Sequence, residues 1–411
     1  MNKILKYISL LFSAQSYTLR NFTTFLLLLF CIQYIPIESR AGVSWLKVAV
    51  MAICPFIFLL KTAKISKALY LATIYLSIMW IVSLIHYETF RASTLIYTTL
   101  FLLLYATYYN LLYCNHVFDI DYFIKLLKGL ILAYSVCLLI QQFFILIGIV
   151  QFPIINLVQV LNRSFGANSL SFEPSSSARI MAVAYLGLLR MYELKKGRLP
   201  NIKELFQELR WSSIGFLWAM STMDSGTAFV ALGILSILFI KRQYLLSIVP
   251  TLIAIYFIIP SIEFEPLQRA RNAVEVTLTL ETESVIETDG SAATRITPLI
   301  NTIKNIDLFN LNSWVGYGAD YVKRFKGPVE QMKKQMIGRI QEFGLFSFII
   351  MQMLIFSCAI RKVLSVETLL WLFLFSMTFG NVSYTWGAIM IFTAVRYFQE
   401  QYEQELLVIT E

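Results

Sequence analysis

Apolar runs of membrane-spanning length recur along the chain and set its organisation. A bilayer core of about 30 Å takes roughly 20 helical residues. About twelve runs approach that length: 22–37, 43–60, 68–86, 92–113, 129–150, 174–192, a pair within 211–240, 244–260, 342–360, 364–380 and 383–398. The pattern predicts an all-α polytopic membrane protein with both termini on one side.

The region Trp211 to Ile240 decides the orientation of everything after it. As one helix it would extend about 45 Å, well beyond the apolar core, and would leave Lys241, Arg242, Arg361 and Lys362 on the wrong side. Splitting it at Ser221-Thr222-Met223-Asp224-Ser225-Gly226, a cluster of small polar residues able to end one helix and cap the next, returns all four to the side of the other basic loops. That side holds Lys61, Lys64, Lys67, Lys195, Lys196, Arg198, Lys203 and Arg210, and the positive-inside rule makes it the cytoplasm.

Two longer polar stretches then face outward. The chain divides into nine spans over residues 1–260 with a smaller periplasmic loop at 151–172, a large periplasmic loop at 261–341, three spans over 342–398, and a cytoplasmic tail at 399–411. Inside the large loop, Pro266 to Ile286 reads as a helix lying on the membrane surface, Glu287 to Ser291 as a turn, Pro298 to Ile306 as a short helix, and Trp314 to Asp320 as irregular, glycine-rich chain.

Composition agrees with this plan. Hydrophobic residues make up 58% and charged residues 14% of the chain, against about a quarter charged in soluble domains, and the mean hydropathy is +0.67. The net charge of +9 reports orientation and not nucleic acid, because the basic residues cluster in short loops. Phe25 to Phe30 followed by Ser39-Arg40-Ala41 loosely imitates a signal peptide, but the long basic region before it reads as a retained first helix. The cysteines sit in or beside apolar runs, and His86 and His116 stand alone, so no metal site or disulfide framework is expected.

Candidate chemistry lies at the outer ends of the runs. Arginine is permanently charged and grips phosphate oxygens bidentately. Arg295 sits between a turn and a short helix in the large loop, Arg163 in the smaller loop, and Arg179 about a turn and a half inside the sixth run. There Arg179 would be costly against lipid and is expected to face a cavity or pair with Glu173 or Asp224. Glu173, just before Pro174, suits either a helix cap or a functional carboxylate; Asp224 poses the same choice at the outer break. Gly316 and Gly318, flanking Tyr317, permit a tight turn or a close approach of backbone to phosphate or sugar. Arg339 stands just before the tenth run, as an interface anchor or an anion contact.

The twelve-helix plan, the large outer loop before the last three helices, Ser171-Phe172-Glu173-Pro174-Ser175, Ser221 to Ala231, Thr294-Arg295 with Gly316-Tyr317-Gly318, and Glu342-Phe343-Gly344-Leu345 together resemble the Wzy-type O-antigen and polysaccharide polymerases, related in fold to O-antigen ligases. The resemblance implies a metal-independent C-type glycosyltransferase of the bacterial inner membrane, without a cofactor. It would join undecaprenyl-diphosphate-linked repeat units on the periplasmic face, with membrane lipid around it and a chain-length regulator protein as a possible partner. It casts Arg295 as stabiliser of the leaving diphosphate, Arg179 and Arg163 as assistants, Glu173 or Asp224 as base, and Gly316, Tyr317, Gly318 and Arg339 as substrate contacts. The ligase branch carries a histidine about nine residues before the Glu-x-Gly; here that position falls near Lys333, which favours a polymerase. A ligase, or a flippase for lipid-linked oligosaccharide, is the alternative; the long outer loop and the lack of half-to-half symmetry argue against a flippase.

Overall fold

The computed structural model describes residues 15–33, 44–149, 166–240, 290–376 and 382–410, together with Gln268, Arg271 and Glu275. Among these residues every regular element is a helix. In chain order they are α1 (Gln15–Cys31), α2 (Trp45–Ile57, continued by a wider turn over Phe58–Thr62), α3 (Lys67–Ile85), α4 (Ala92–Asn115) and α5 (Ile120–Leu146). Next come α6 (Pro174–Lys196), α7 (Ile202–Glu208), α8 (Arg210–Thr222), α9 (Gly226–Ser236), α10 (Gly290–Asn305), α11 (Leu311–Val315) and α12 (Pro328–Lys334). The last are α13 (Ile340–Cys358), α14 (Val366–Leu370, continued by a wider turn over Trp371–Phe375) and α15 (Ser383–Thr410).

Among the described residues, five helical stretches are long and apolar enough to cross a membrane: Trp45–Thr62, Lys67–Ile85, Ala92–Asn115, Ile120–Leu146 and Ile337–Cys358. Helix α6 does not qualify on composition, and its surroundings explain why. It is buried almost continuously from Pro174 to Leu189, so it packs against other helices and can carry polar residues that a lipid-facing surface would exclude. Gly187 lies against Leu127 of α5 and against Ile391 and Val395 of α15. Helix α15 is likewise buried from Tyr384 through Phe398, apart from the half-buried Arg396, and these two form the centre of the bundle.

Side-chain contacts fix the relative directions of the helices. Phe101 of α4 stacks on Trp386 of α15, the Tyr105 hydroxyl is 2.9 Å from the Thr393 hydroxyl, and Tyr113 donates to Glu400. The two helices therefore run the same way. Along α2, Thr107 donates to the Cys54 carbonyl and Asn110 to the Thr62 and Lys64 carbonyls, so α2 shares that direction. Helix α6 does too, with Arg179 beside Tyr384 and Gly187 beside Ile391. One end of the bundle thus gathers the end of α1, the starts of α2, α4, α6 and α15, and the α3–α4 turn. At the opposite end lie the pairs Lys195–Asp121, Arg190–Glu367 and Arg361–Glu403.

Several expectations change in detail. The break in 211–240 is present at Met223–Ser225, but the residue at the N-cap of α9 is Ser225 and not Asp224; Asp224 instead takes a left-handed conformation with φ of 54°. The turn and short helix expected around 287–306 are one helix from Gly290, with Pro298 in its interior. Proline costs a helix one hydrogen bond and crowds the preceding turn, and neither bars a helix that packs against other chain. The tail after 398 continues α15 to Thr410. Of the surface helix expected over 266–286, Gln268, Arg271 and Glu275 are described, each helical, with Arg271 2.8 Å from Glu275; the rest of it and Arg163 lie outside the described residues.

At the opposite end, α7 opens with a reciprocal cap. Asn201 accepts from the Glu204 amide at 2.9 Å and Glu204 accepts from the Asn201 amide at 2.8 Å, while Arg198 donates twice to the same carboxylate. Those Arg198 bonds, then the Asn201 amide, hold the Glu204 carboxyl down at about 2. A depressed folded value stabilises the fold above the ordinary carboxylate range and is lost as pH falls through it. In detergent, the wild-type melting temperature should therefore fall more steeply than that of Glu204→Gln between about pH 5 and pH 2; coincident curves would show the cap contributes nothing to acid stability.

Candidate functional site

The end that carries Glu173 is built on buried polar chain. The Tyr134 hydroxyl of α5 donates to the Cys31 carbonyl at the end of α1. Gln141 donates to the Ser169 carbonyl and accepts from the Ser169 amide, and the Ser169 hydroxyl donates to the Tyr134 carbonyl. These bonds satisfy the irregular backbone of 166–173, which must have internal partners to be buried between helices. Ser177 of α6 adds a bond to the Asn168 carbonyl at 2.6 Å, and the Phe172 amide donates to Gln33 at 3.1 Å.

Pro174 is the first residue of α6, where its missing N–H costs nothing, and Glu173 takes the N-cap position. Its carboxylate does not cap the helix. Among the described residues it accepts the Ser175 hydroxyl, at 3.2 Å, and it remains exposed. Asp224 reaches the same region, because its side chain packs directly over Gly166.

Beneath this surface lie two cations. Arg179 is 5% exposed; its guanidinium donates to the Tyr384 hydroxyl and sits 5.5 Å from the centre of that ring. Lys47 of α2 is 3% exposed and donates to the Ile32 carbonyl at 2.6 Å and the Ser383 hydroxyl at 3.0 Å. Consecutive residues at the start of α15 thus each accept from a buried positive charge. Arg179 was expected from the sequence. Lys47 was not, although a lone lysine inside the apolar run 43–60 is the signal that marks an intramembrane charge; Tyr384 carries no such signal.

A second cluster at this end forms around Gly316 and Gly318. Tyr317 and Gly318 donate their amides to the Gln341 and Glu342 carbonyls at the start of α13, at 3.1 and 2.9 Å, and Thr89 of the α3–α4 turn donates to the Tyr317 carbonyl. Both glycines have positive φ, 82° and 93°. A Cβ on Gly316 would meet the Glu342 carbonyl oxygen at 2.4 Å, and one on Gly318 would meet the Thr89 hydroxyl at 2.0 Å. Each position therefore needs glycine both for conformation and for space, and here the two glycines serve chain-to-chain packing. Asp320 binds Arg91 at 3.0 Å and Lys323 at 3.3 Å, and Arg324 binds Glu88, fastening the loop to the α3–α4 turn. Rings of Tyr317 and Tyr321 stack 4.7 Å apart, and burial pushes the Tyr321 phenol up.

Arg339 stands under this loop. It pairs with Glu342 one helical turn on, and its guanidinium lies 4.9 Å from the centre of the Phe343 ring. Glu342 is buried and Arg339 nearly so. Position 295 lies on α10, two turns before Thr302, whose hydroxyl accepts the Ile337 amide at 3.0 Å; Asn301 donates to the Met332 and Gln335 carbonyls. Helix α10 is therefore docked on the segment that leads into Arg339.

The candidate residues thus fall into two groups at one end of the bundle. Glu173, Asp224 and Arg179 surround the 166–173 segment; Gly316, Tyr317, Gly318 and Arg339 form the cluster over α13, with the helix of Arg295 docked beside it. The arrangement offers an exposed carboxylate next to deeply set positive charge, which suits an anionic group that needs neutralising and a proton that needs an acceptor. No protein-family model matches the chain, and no characterised protein or solved structure does either, so the chemistry of the site is read from its own residues.

Proposed function

We propose that the chain is a metal-independent polysaccharide polymerase of the bacterial inner membrane. In this reading it transfers a growing glycan from undecaprenyl diphosphate to a hydroxyl of the next lipid-linked repeat unit on the periplasmic side. The acceptor oxygen attacks the anomeric carbon, the bond to the diphosphate breaks, and the diphosphate leaves with the electron pair. Glu173 or Asp224 takes the acceptor's proton. Arg295 and Arg179, with Arg163, stabilise the charge gathering on the leaving group, while Tyr317 and Arg339 contact the substrate from a loop that Gly316 and Gly318 let pack closely on α13.

The observation that carries the reading is Arg179. A guanidinium 5% exposed inside a central helix is expensive, and such a residue within a membrane bundle is by default functional. It is set below an exposed Glu173 that is spared from capping its own helix.

The purified protein, given only an intact lipid-linked repeat unit of matched structure, should produce a ladder of increasing length on a gel. Absence of the ladder with that substrate overturns the reading. Arg295→Ala is expected to abolish the ladder while the protein still inserts into membranes; unchanged polymer length and yield would remove Arg295 from the mechanism.

A further inference from the structure

The connection between α10 and α11 presents large apolar side chains to the outside of the protein. Leu308 is 59% exposed, Phe309 100% and Leu311 72%. Single exposed apolar residues are ordinary, but three within four positions of a polar connection mark a binding surface.

Two features say what covers them. The first is continuity with α13. Along that helix Phe346, Ile349 and Met353 are exposed while Phe343, Ser347, Met351 and Leu354 are buried, which is the outward stripe of a helix long and apolar enough to cross a membrane. Trp314 of α11 packs on Phe346 with ring centres 4.9 Å apart, and its indole N–H donates to the Leu308 carbonyl at 2.9 Å. The apolar triad is thus joined, through Trp314, to the top of the stripe. Tryptophan with its polar tip satisfied is the residue typical of the membrane–water boundary.

The second feature is the state of the backbone. The Phe309 amide donates to the Asp307 carboxylate, the Asn310 amide to the Asp307 carbonyl, the Asn312 amide to the Asn310 side chain, and the Ser313 amide to the Asn310 carbonyl. These four amides are met within the loop, which lowers the cost of placing irregular chain at the polar boundary of the bilayer, where headgroups and water stay within reach of the other backbone groups.

We infer that residues 308–311 form a finger seated in the outer boundary of the bilayer, with lipid as its occupant. The finger would hold α10 and the Gly316 loop at a fixed height over the start of α13. The inference rests on α13 being a membrane span, and the experiment separates the two.

Three variants, Phe309→Cys, Met353→Cys and Lys323→Cys, each in a Cys114→Ser background, are labelled with an environment-sensitive fluorophore and reconstituted into phosphatidylcholine–phosphatidylglycerol vesicles. Nitroxide-bearing lipids then report contact with lipid, and aqueous iodide reports contact with water. The expected result is that nitroxide near the headgroups quenches the 309 probe at least about half as strongly as mid-chain nitroxide quenches the 353 probe, as an interfacial depth of about 5–10 Å requires, while iodide quenches it several-fold less than the 323 probe. Lipid quenching at 353 with none at 309 overturns the finger and leaves the span standing. Protection of 309 from iodide without lipid quenching assigns its cover to protein and also overturns the proposal. Loss of lipid quenching at both positions overturns the span and the finger together.

Discussion

Replacing Arg339 by methionine is expected to cost about 3–5 kcal/mol of stability, the usual cost of leaving one member of a buried ion pair without its partner. Glu342 is buried under the Gly316 loop and has Arg339 one turn away, so deleting the guanidinium leaves a carboxylate in a site with little water. The pair need not be stabilising relative to a well-packed apolar replacement. The double variant Arg339→Met/Glu342→Leu should therefore recover most of the loss, and thermal unfolding in detergent reads both. A single variant that melts like the wild type would show the pair to be wetter than its burial implies. The double variant also separates structure from chemistry. A stable double variant that makes no ladder places the Arg339–Glu342 pair at the substrate, whereas one that is both stable and active confines the pair to holding the loop.

Arg179→Met should lower the polymerisation rate by about 10²–10³-fold, as expected when one preorganised donor to a developing negative charge is removed. Arg179→Lys should restore little of this, since an ammonium keeps the charge but lacks the planar fork that binds two phosphate oxygens. Tyr384→Phe supplies the contrast. It removes the hydroxyl that accepts from Arg179 but keeps the ring 5.5 Å away, so the loss should be smaller, about 10- to 100-fold, the scale of one hydrogen bond to a charged group. Rates are compared at equal amounts of folded protein. An Arg179→Met enzyme that polymerises as fast as the wild type would remove Arg179 from the reaction.

How much of this was legible in the sequence depended on whether its cause was local. The break between α8 and α9 follows from span length and from small polar residues, and both can be counted along the chain. Pro174 at the head of α6 and the special backbone at Gly316 and Gly318 follow from residue type alone. What joins distant segments was not legible. Lys47 meets Ser383, Arg91 meets Asp320, and Thr89 meets the Tyr317 carbonyl, and no local period encodes such partners. Glu173 and Asp224 show the opposite limit. Aspartate favours N-caps and a carboxylate suits a helix N-terminus, yet the residue at the α9 N-cap is Ser225 and the Glu173 carboxylate turns to Ser175. Burial explains a third departure: α6 is less apolar than its neighbours because it is surrounded by them.

Helix α15 has a mechanical property that follows from its length. At 1.5 Å per residue its 28 residues form a rod of about 42 Å, longer than the roughly 30 Å apolar slab. One tip carries Ser383 and Tyr384, which receive Lys47 and Arg179; the region near the other carries Glu403, which grips Arg361. A stiff rod that pivots at its middle moves its tips in opposite senses, and a tilt of about 5° displaces each by about 2 Å, given the helical rise. That is enough to break a hydrogen bond of 3.0 Å such as the one from Lys47 to Ser383. The rod thus places Tyr384 and Glu403, at the two ends of the bundle, on one continuous helix, so the positions of both are set by a single tilt.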